Sequence, residues 1–298
     1  MRLVAATRSG IALADASGVR EVLRADVRCL AARDGRIVAG TQTDGLHRSD
    51  DGGTTWRPAG LPGMTVKSVA AAEDDVLAAG TQPPAVFVSR DGGQTWRESA
   101  TFRSMRRWWW WQPADVPHTP YVSALAVEGE TILAGLEFGR VLRSGDGGCT
   151  WTRLRGVALD CHALALRGDD AYEGAGFGPA RSVDGGRTWT RSRAGLDRRY
   201  VMTIAVDPSD PTCWYVAAAP LRRAHGPDAH AVVFRWEGAR WRALTPELAE
   251  LPHALVCPGR DRVVAGLRDG TILSSGDRGE TWTSLPYRLD GLRALAVV

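Results

Sequence analysis

RSDDGGTTW, residues 48–56, decides how this chain is read, because the same words return four more times. The further copies are SRDGGQTW (89–96), RSGDGGCTW (143–151), RSVDGGRTW (181–189) and SSGDRGETW (274–282). All five contain Ser-x-Asp-x-Gly-x-Thr-Trp. Their tryptophans (Trp56, Trp96, Trp151, Trp189 and Trp282) lie 40, 55, 38 and 93 residues apart. A worn copy, FRWEGARW, ends at Trp241 and divides the last interval into 52 and 41. A period of about 40 residues is the size of one propeller blade. Each period also repeats an order of strands: VRCLAA, a turn, RIVAGT, GLHRS, the Asp-Gly-Gly turn, then TTWRPA. Asp-Gly and Gly-Gly between such strands are hairpin signals. The motif has a mechanism: Ser and Asp side chains accept backbone N–H groups across the turn, and Gly takes positive φ. The Trp is then expected to lie over the next blade.

Composition agrees with a folded all-β chain. The 298 residues are 44% apolar and 24% charged, which excludes a wholly disordered protein, and 34 glycines suit many tight turns. A net charge of +3 is too mild to argue for nucleic acid. The opening MRLVAATRSGIALADASG lacks the continuous apolar run of a signal peptide, and no stretch approaches a membrane span. The five cysteines (Cys29, Cys149, Cys161, Cys213 and Cys257) are scattered without a CxxC pair, so a reduced, cytoplasmic protein is expected.

Blades two to seven end at Trp56, Trp96, Trp151, Trp189, Trp241 and Trp282. Before them stand MRLVAAT, GIALADA and VREVL, three strands without a box. After them comes LDGLRALAVV, which matches the first strands YVSALAV and DCHALAL. The expectation is a seven-bladed β-propeller of four-stranded antiparallel blades, forming a single domain over 1–298. Its C-terminal strand joins blade one and removes the exposed edges. Six blades is the rival if the opening strands are irregular.

The repeat resembles the Asp-box, or BNR, repeat of sialidases, sortilin-like receptors, two-propeller xyloglucanases and the photosystem II assembly factor. The wording WWWWQPADVPHTPYVSALAV, GLEFG, DCHALAL and GLDRRY is similar to bacterial BNR-like repeat proteins. The resemblance implies the propeller fold. It also implies that the box is a structural turn on the face away from the ligand. It does not transfer an activity.

Two insertions, 101–120 and 220–231, both fall on the rim opposite the boxes, the rim where function is expected. Candidate catalytic residues there are Glu137 in GLEFG, Asp160 and His162 opening the inner strand of blade five, Glu173 and Tyr200. Glu173 stands where other blades have Ala39, Ala79, Ala134 and Ala265. A carboxylate in such an apolar strand is costly unless paired. It either joins an acid/base pair with separated pKa values or ties blades together through an arginine. Arg198, Arg199 and Arg222 are near in sequence, and His225, Asp228 and His230 offer a possible divalent-metal set.

Trp108, Trp109, Trp110 and Trp111 line a ligand pocket in one reading and close the channel as an apolar lid in another. With Arg103, Arg106 and Arg107 they could stack on single-stranded bases, but basic residues are not concentrated elsewhere. A sialidase-like site built from Arg199, Arg222, Arg268 and Tyr200 does not follow the spacing of those families. The expected function is therefore binding of a small molecule or carbohydrate on the non-box rim of blades four to six. Ligand contacts would come from Trp108–Trp111, Arg199, Arg222 and His225. Acid/base chemistry of a glycosidase-like hydrolase, lyase or isomerase would follow there. The alternative is a non-catalytic scaffold for a protein partner.

Overall fold

A computed structural model describes residues 1–105, 119–224, 226, 228–259 and 261–298. Seven four-stranded antiparallel sheets follow one another as blades. The innermost strands of blades two to seven are Val27–Arg33, Thr65–Ala71, Val122–Glu128, Cys161–Arg167, Tyr200–Asp207 and Pro252–Gly259. In blade one the innermost strand is Ala294–Val297, pairing with Leu3–Ala6 in the register Leu3↔Val297 to Ala6↔Ala294. Gly10–Asp15 and Gly18–Arg24 complete that blade. The opening strands are thus regular, and the ring has seven blades rather than six. Among the described residues no helix is long and apolar enough to cross a membrane.

The box turns behave as their chemistry requires. In blade two the Ser49 Oγ accepts the Gly53 N–H at 2.8 Å and donates to Asp51 at 2.8 Å. Asp51 also accepts the N–H groups of Thr54 and Thr55 at 2.9 Å and the Thr55 hydroxyl at 2.7 Å. Gly52 and Gly53 take φ of 67° and 85°. The serine-to-glycine bond recurs at 2.8 to 2.9 Å in the four other complete boxes. In blades two to five the turn leaves a fourth strand of two residues, Arg57–Pro58, Arg97–Glu98, Thr152–Arg153 and Thr190–Arg191, whereas blade seven extends it over Thr283–Arg288.

The box tryptophans correct one expectation: they lie against the preceding blade, not the next. Trp96 Nε1 donates to the Ala59 carbonyl at 2.7 Å, and Trp151 Nε1 to Ser99 Oγ at 2.9 Å. Trp241 Nε1 donates to the Ser192 carbonyl at 2.9 Å. The box turn folds back toward the outer strand of the earlier blade, so the indole seals the seam already formed. Apolar residues from both sheets fill each seam; Val86, Phe102, Val122, Ile132 and Leu142 form one such cluster between blades three and four.

Candidate functional site

A repeated irregularity builds the channel mouth. At the non-box end of the innermost strand, pairing with the second strand slips between Val27 and Cys29, Val66 and Ser68, and Val122 and Ala124. It slips likewise between Cys161 and Ala163, Val201 and Thr203, and Pro252 and Ala254. A bulge leaves one residue unpaired and re-aims its side chain. The residues so placed are Arg28, Lys67, Ser123, His162, Met202 and His253. Arg293, just before Ala294↔Ala6, holds the matching position in blade one. All seven line one cavity of about 770 Å³ at the centre of the ring.

On blades four and five this mouth carries titratable groups. The Asp160 carboxylate lies 3.0 Å from His162 Nε2, and the Val201 carbonyl lies 2.7 Å from Nδ1. Both partners are acceptors, a setting that favours the ring with protons on both nitrogens. Burial, the largest influence, opposes the charged ring. The hydrogen bond and charge of Asp160, with the Val201 carbonyl, outweigh it and raise the pKa above the usual value. The Tyr200 ring packs on His162 at 4.5 Å between centroids. Tyr121 donates to Glu137, and burial followed by that carboxylate raises the phenol's pKa. Tyr121 and His162 face the cavity, whereas Glu137, Asp160 and Tyr200 hold them from behind.

Cations occupy the other arc of the mouth. Arg8 and Arg268 enter from loops after second strands and join Arg28, Lys67 and Arg293, while no aspartate or glutamate lines the cavity among the described residues. Asp26 is shared, pairing with Arg293 and lying 3.6 Å from Arg28. Lys67 sits 4.8 Å from the Tyr121 ring centre, a cation–π distance. Its pKa is lowered by burial and by Arg28; that of Arg28 is lowered by burial and by Arg293.

The structure brings Glu137, Asp160, His162 and Tyr200 together and leaves Glu173 apart. Glu173 belongs to the second strand of blade five, Asp170–Ala175, one strand out from the channel, and is fully buried. It accepts the Ala158 N–H at 3.0 Å and meets Arg191 at 3.2 Å. It therefore fastens the segment entering blade five. Arg198 is also enclosed, donating to the His230 carbonyl at 2.6 Å and pairing with Asp197 and Glu247. Glu247 also engages the His230 ring at 2.5 Å. Arg199, Arg222 and Asp228 are exposed. Trp108 to Trp111 and His225 lie outside the described residues, and no metal-binding group of three side chains occurs among the described ones. Arg8, Arg28, Lys67, Tyr121, His253 and Arg293 escaped the sequence reading. The signal was present in the register V-R-C-L, V-K-S-V, C-H-A-L, P-H-A-L and L-R-A-L of the innermost strands.

The BNR/Asp-box repeat description matches residues 87–98. With the ring geometry this makes the chain a seven-bladed β-propeller carrying Asp-box repeats. No curated protein matches it by sequence. Among solved structures it is similar to a GH74 enzyme from Niastella koreensis: TM-score 0.65, 17% identity, 87% of this chain and 45% of that one. It is similar to YCF48 bound to D1 peptide: TM-score 0.60, 16% identity, 87% and 82%. The computationally designed Ika8 protein aligns with TM-score 0.66, 16% identity, 100% and 87%. The chain thus spans less than half of the GH74 enzyme, and these likenesses establish the fold.

Proposed function

We propose that this propeller binds a small polar molecule of sugar-like size in the non-box mouth, and that His162 is the charged ring which that site presents to it. One observation carries the reading. The bulge that presents His162 to the cavity also places its ring between two hydrogen-bond acceptors, Asp160 and the Val201 carbonyl. An imidazolium at the cavity wall, its two N–H groups held by protein acceptors, offers a fixed positive charge suited to stabilising negative charge that develops on a bound ligand, as in hydrolysis, elimination or isomerisation. The GH74 neighbour is compatible with a carbohydrate ligand. A thermal-shift screen of mono- and disaccharides and their acids tests this. A stabilising ligand should lose most of its effect with His162→Gln and keep it with Arg262→Ala, on the box rim. Turnover of that ligand, followed by NMR, should fall with His162→Gln. Equal shifts in both variants, or none in the wild type, would overturn the reading.

A second reading, docking of a protein segment, is favoured by Phe138, Leu159, Phe177 and Leu221. These exposed apolar side chains sit in non-box loops of blades four to six. The peptide-bound YCF48 neighbour is compatible with it. In that case Phe138→Ser with Phe177→Ser weakens partner binding while His162→Gln does not.

A further inference from the structure

We infer that the mouth is an oxyanion receptor: its ligand carries a carboxylate or phosphate, which docks on the arc formed by Arg28, Lys67 and Arg293 with Arg8 and Arg268. This names the ligand class of the site proposed above and rests on that proposal.

Three blades aim a cation inward from the same bulge position, and two neighbouring loops add one each. Several arginines elsewhere are paired: Arg36 with Asp75, Arg90 with Glu130, Arg242 with Glu280. The arc is short of carboxylates. Among the described residues Arg8, Lys67 and Arg268 have no carboxylate within ion-pair distance, and Asp26 alone serves both Arg28 and Arg293. The Arg28 Nε is buried without a hydrogen-bond partner among those residues. Clustered like charges weaken one another's charged forms, and an oxyanion entering between them relieves that repulsion while accepting several charge-assisted hydrogen bonds. Tyr121 lies beside Lys67, and His162 stands on the wall two blades further round the same cavity. The mouth thus joins an anchoring arc of cations to a wall carrying the His162 ring. A sugar acid, sugar phosphate or hydroxy acid meets both. A neutral sugar meets only one.

Calorimetric titrations of the whole chain with inorganic phosphate, glucuronate, glucose 6-phosphate and neutral glucose test the inference. Glucuronate or glucose 6-phosphate should bind more tightly than glucose, and affinity should fall as salt rises. Tighter binding of glucose 6-phosphate, displaced by inorganic phosphate, would identify the phosphate as the anchored group; tighter binding of glucuronate points to the carboxylate. Lys67→Met and Arg268→Ala should each weaken the acid by roughly tenfold or more, with Arg262→Ala unchanged. Arg268 is exposed, so its variant keeps the test valid should Lys67→Met misfold. If glucose binds as well as the acids, and His162→Gln abolishes it, the anion inference fails while binding at the mouth stands. If the acids bind equally well to all three variants, the charge is not read at this arc and the inference also fails.

Discussion

His162 and Glu173 show how much a single side chain's partners decide. Both are titratable, both have pKa values raised above the ordinary value, and they lie eleven residues apart in the same blade. An acceptor on either side favours the protonated form of the His162 ring, so its contribution to stability is fully present below pH 6.5. It is lost as pH rises through the raised folded value. NMR titration of the ring should give a midpoint above 6.5, and Asp160→Asn should lower it. A midpoint unmoved by Asp160→Asn would remove the imidazolium from the account. In Glu173 burial raises the pKa, opposed by Arg191 and the Ala158 N–H. Removing that carboxylate leaves a buried N–H and an arginine without their partner. Glu173→Ala should therefore cost about 3 kcal/mol in denaturant unfolding, Glu173→Gln less, and neither should change ligand affinity at the mouth. The sequence marked Glu173 as unusual because alanine occupies its place elsewhere. It did not show Arg191, whose side chain arrives from the fourth strand of the same blade. A buried carboxylate reads the same in sequence whether it is structural or reactive.

Among elements, the box turn and the bulge lie at opposite ends of each blade and were unequally legible. The box needs particular atoms: a serine oxygen, a carboxylate, a glycine at positive φ. Such needs leave a fixed spelling, and that spelling revealed the blades. Ser144→Ala removes the acceptor of the Gly148 N–H and the donor to Asp146, and should lower stability by about 1–2 kcal/mol. Hydrogen bonds hold Asp51, Asp146 and Asp277 down to about 2, against an ordinary 3.8. Their folded values are depressed, so their contribution exists above the ordinary value and is lost as pH falls from about 4 to about 2. Melting temperature should decline across that window, most steeply below pH 3.8; a flat profile would contradict the turn chemistry. The bulge, by contrast, imposes no residue type. Arginine, lysine, serine, histidine and methionine all occupy it, so only its register repeats, and registers emerge once strands are paired. What does repeat nearby is the second-strand glycine. A Cβ on Gly80 would meet Val122 of the next blade at 2.5 Å, and one on Gly266 would meet Leu292 at 2.2 Å. These glycines let successive innermost strands close up around the mouth.

For the whole molecule, closure and function are linked, because Arg293 reaches the mouth from the segment leading into the strand that completes blade one. Deleting residues 294–298 would bare the Leu3–Ala6 edge, and calorimetry should then show a broadened, less cooperative transition. Blade number and closure were readable because repeats count themselves. The joining of the cation arc to the His162 wall was not, since its parts come from residues as far apart as Arg8 and Arg293 and meet only when the ring closes. Six histidines occur in the chain, and their rings report on where a ligand sits. His162 and His253 line the mouth, whereas His47 lies in the third strand of blade two and does not line it. Nitrogen spectra of histidine-labelled protein titrated with glucuronate should shift the His162 and His253 signals in a saturable manner and leave His47 in place. Saturable binding that moves His47 while both mouth signals stay still would contradict the assignment of ligand recognition to this end of the channel.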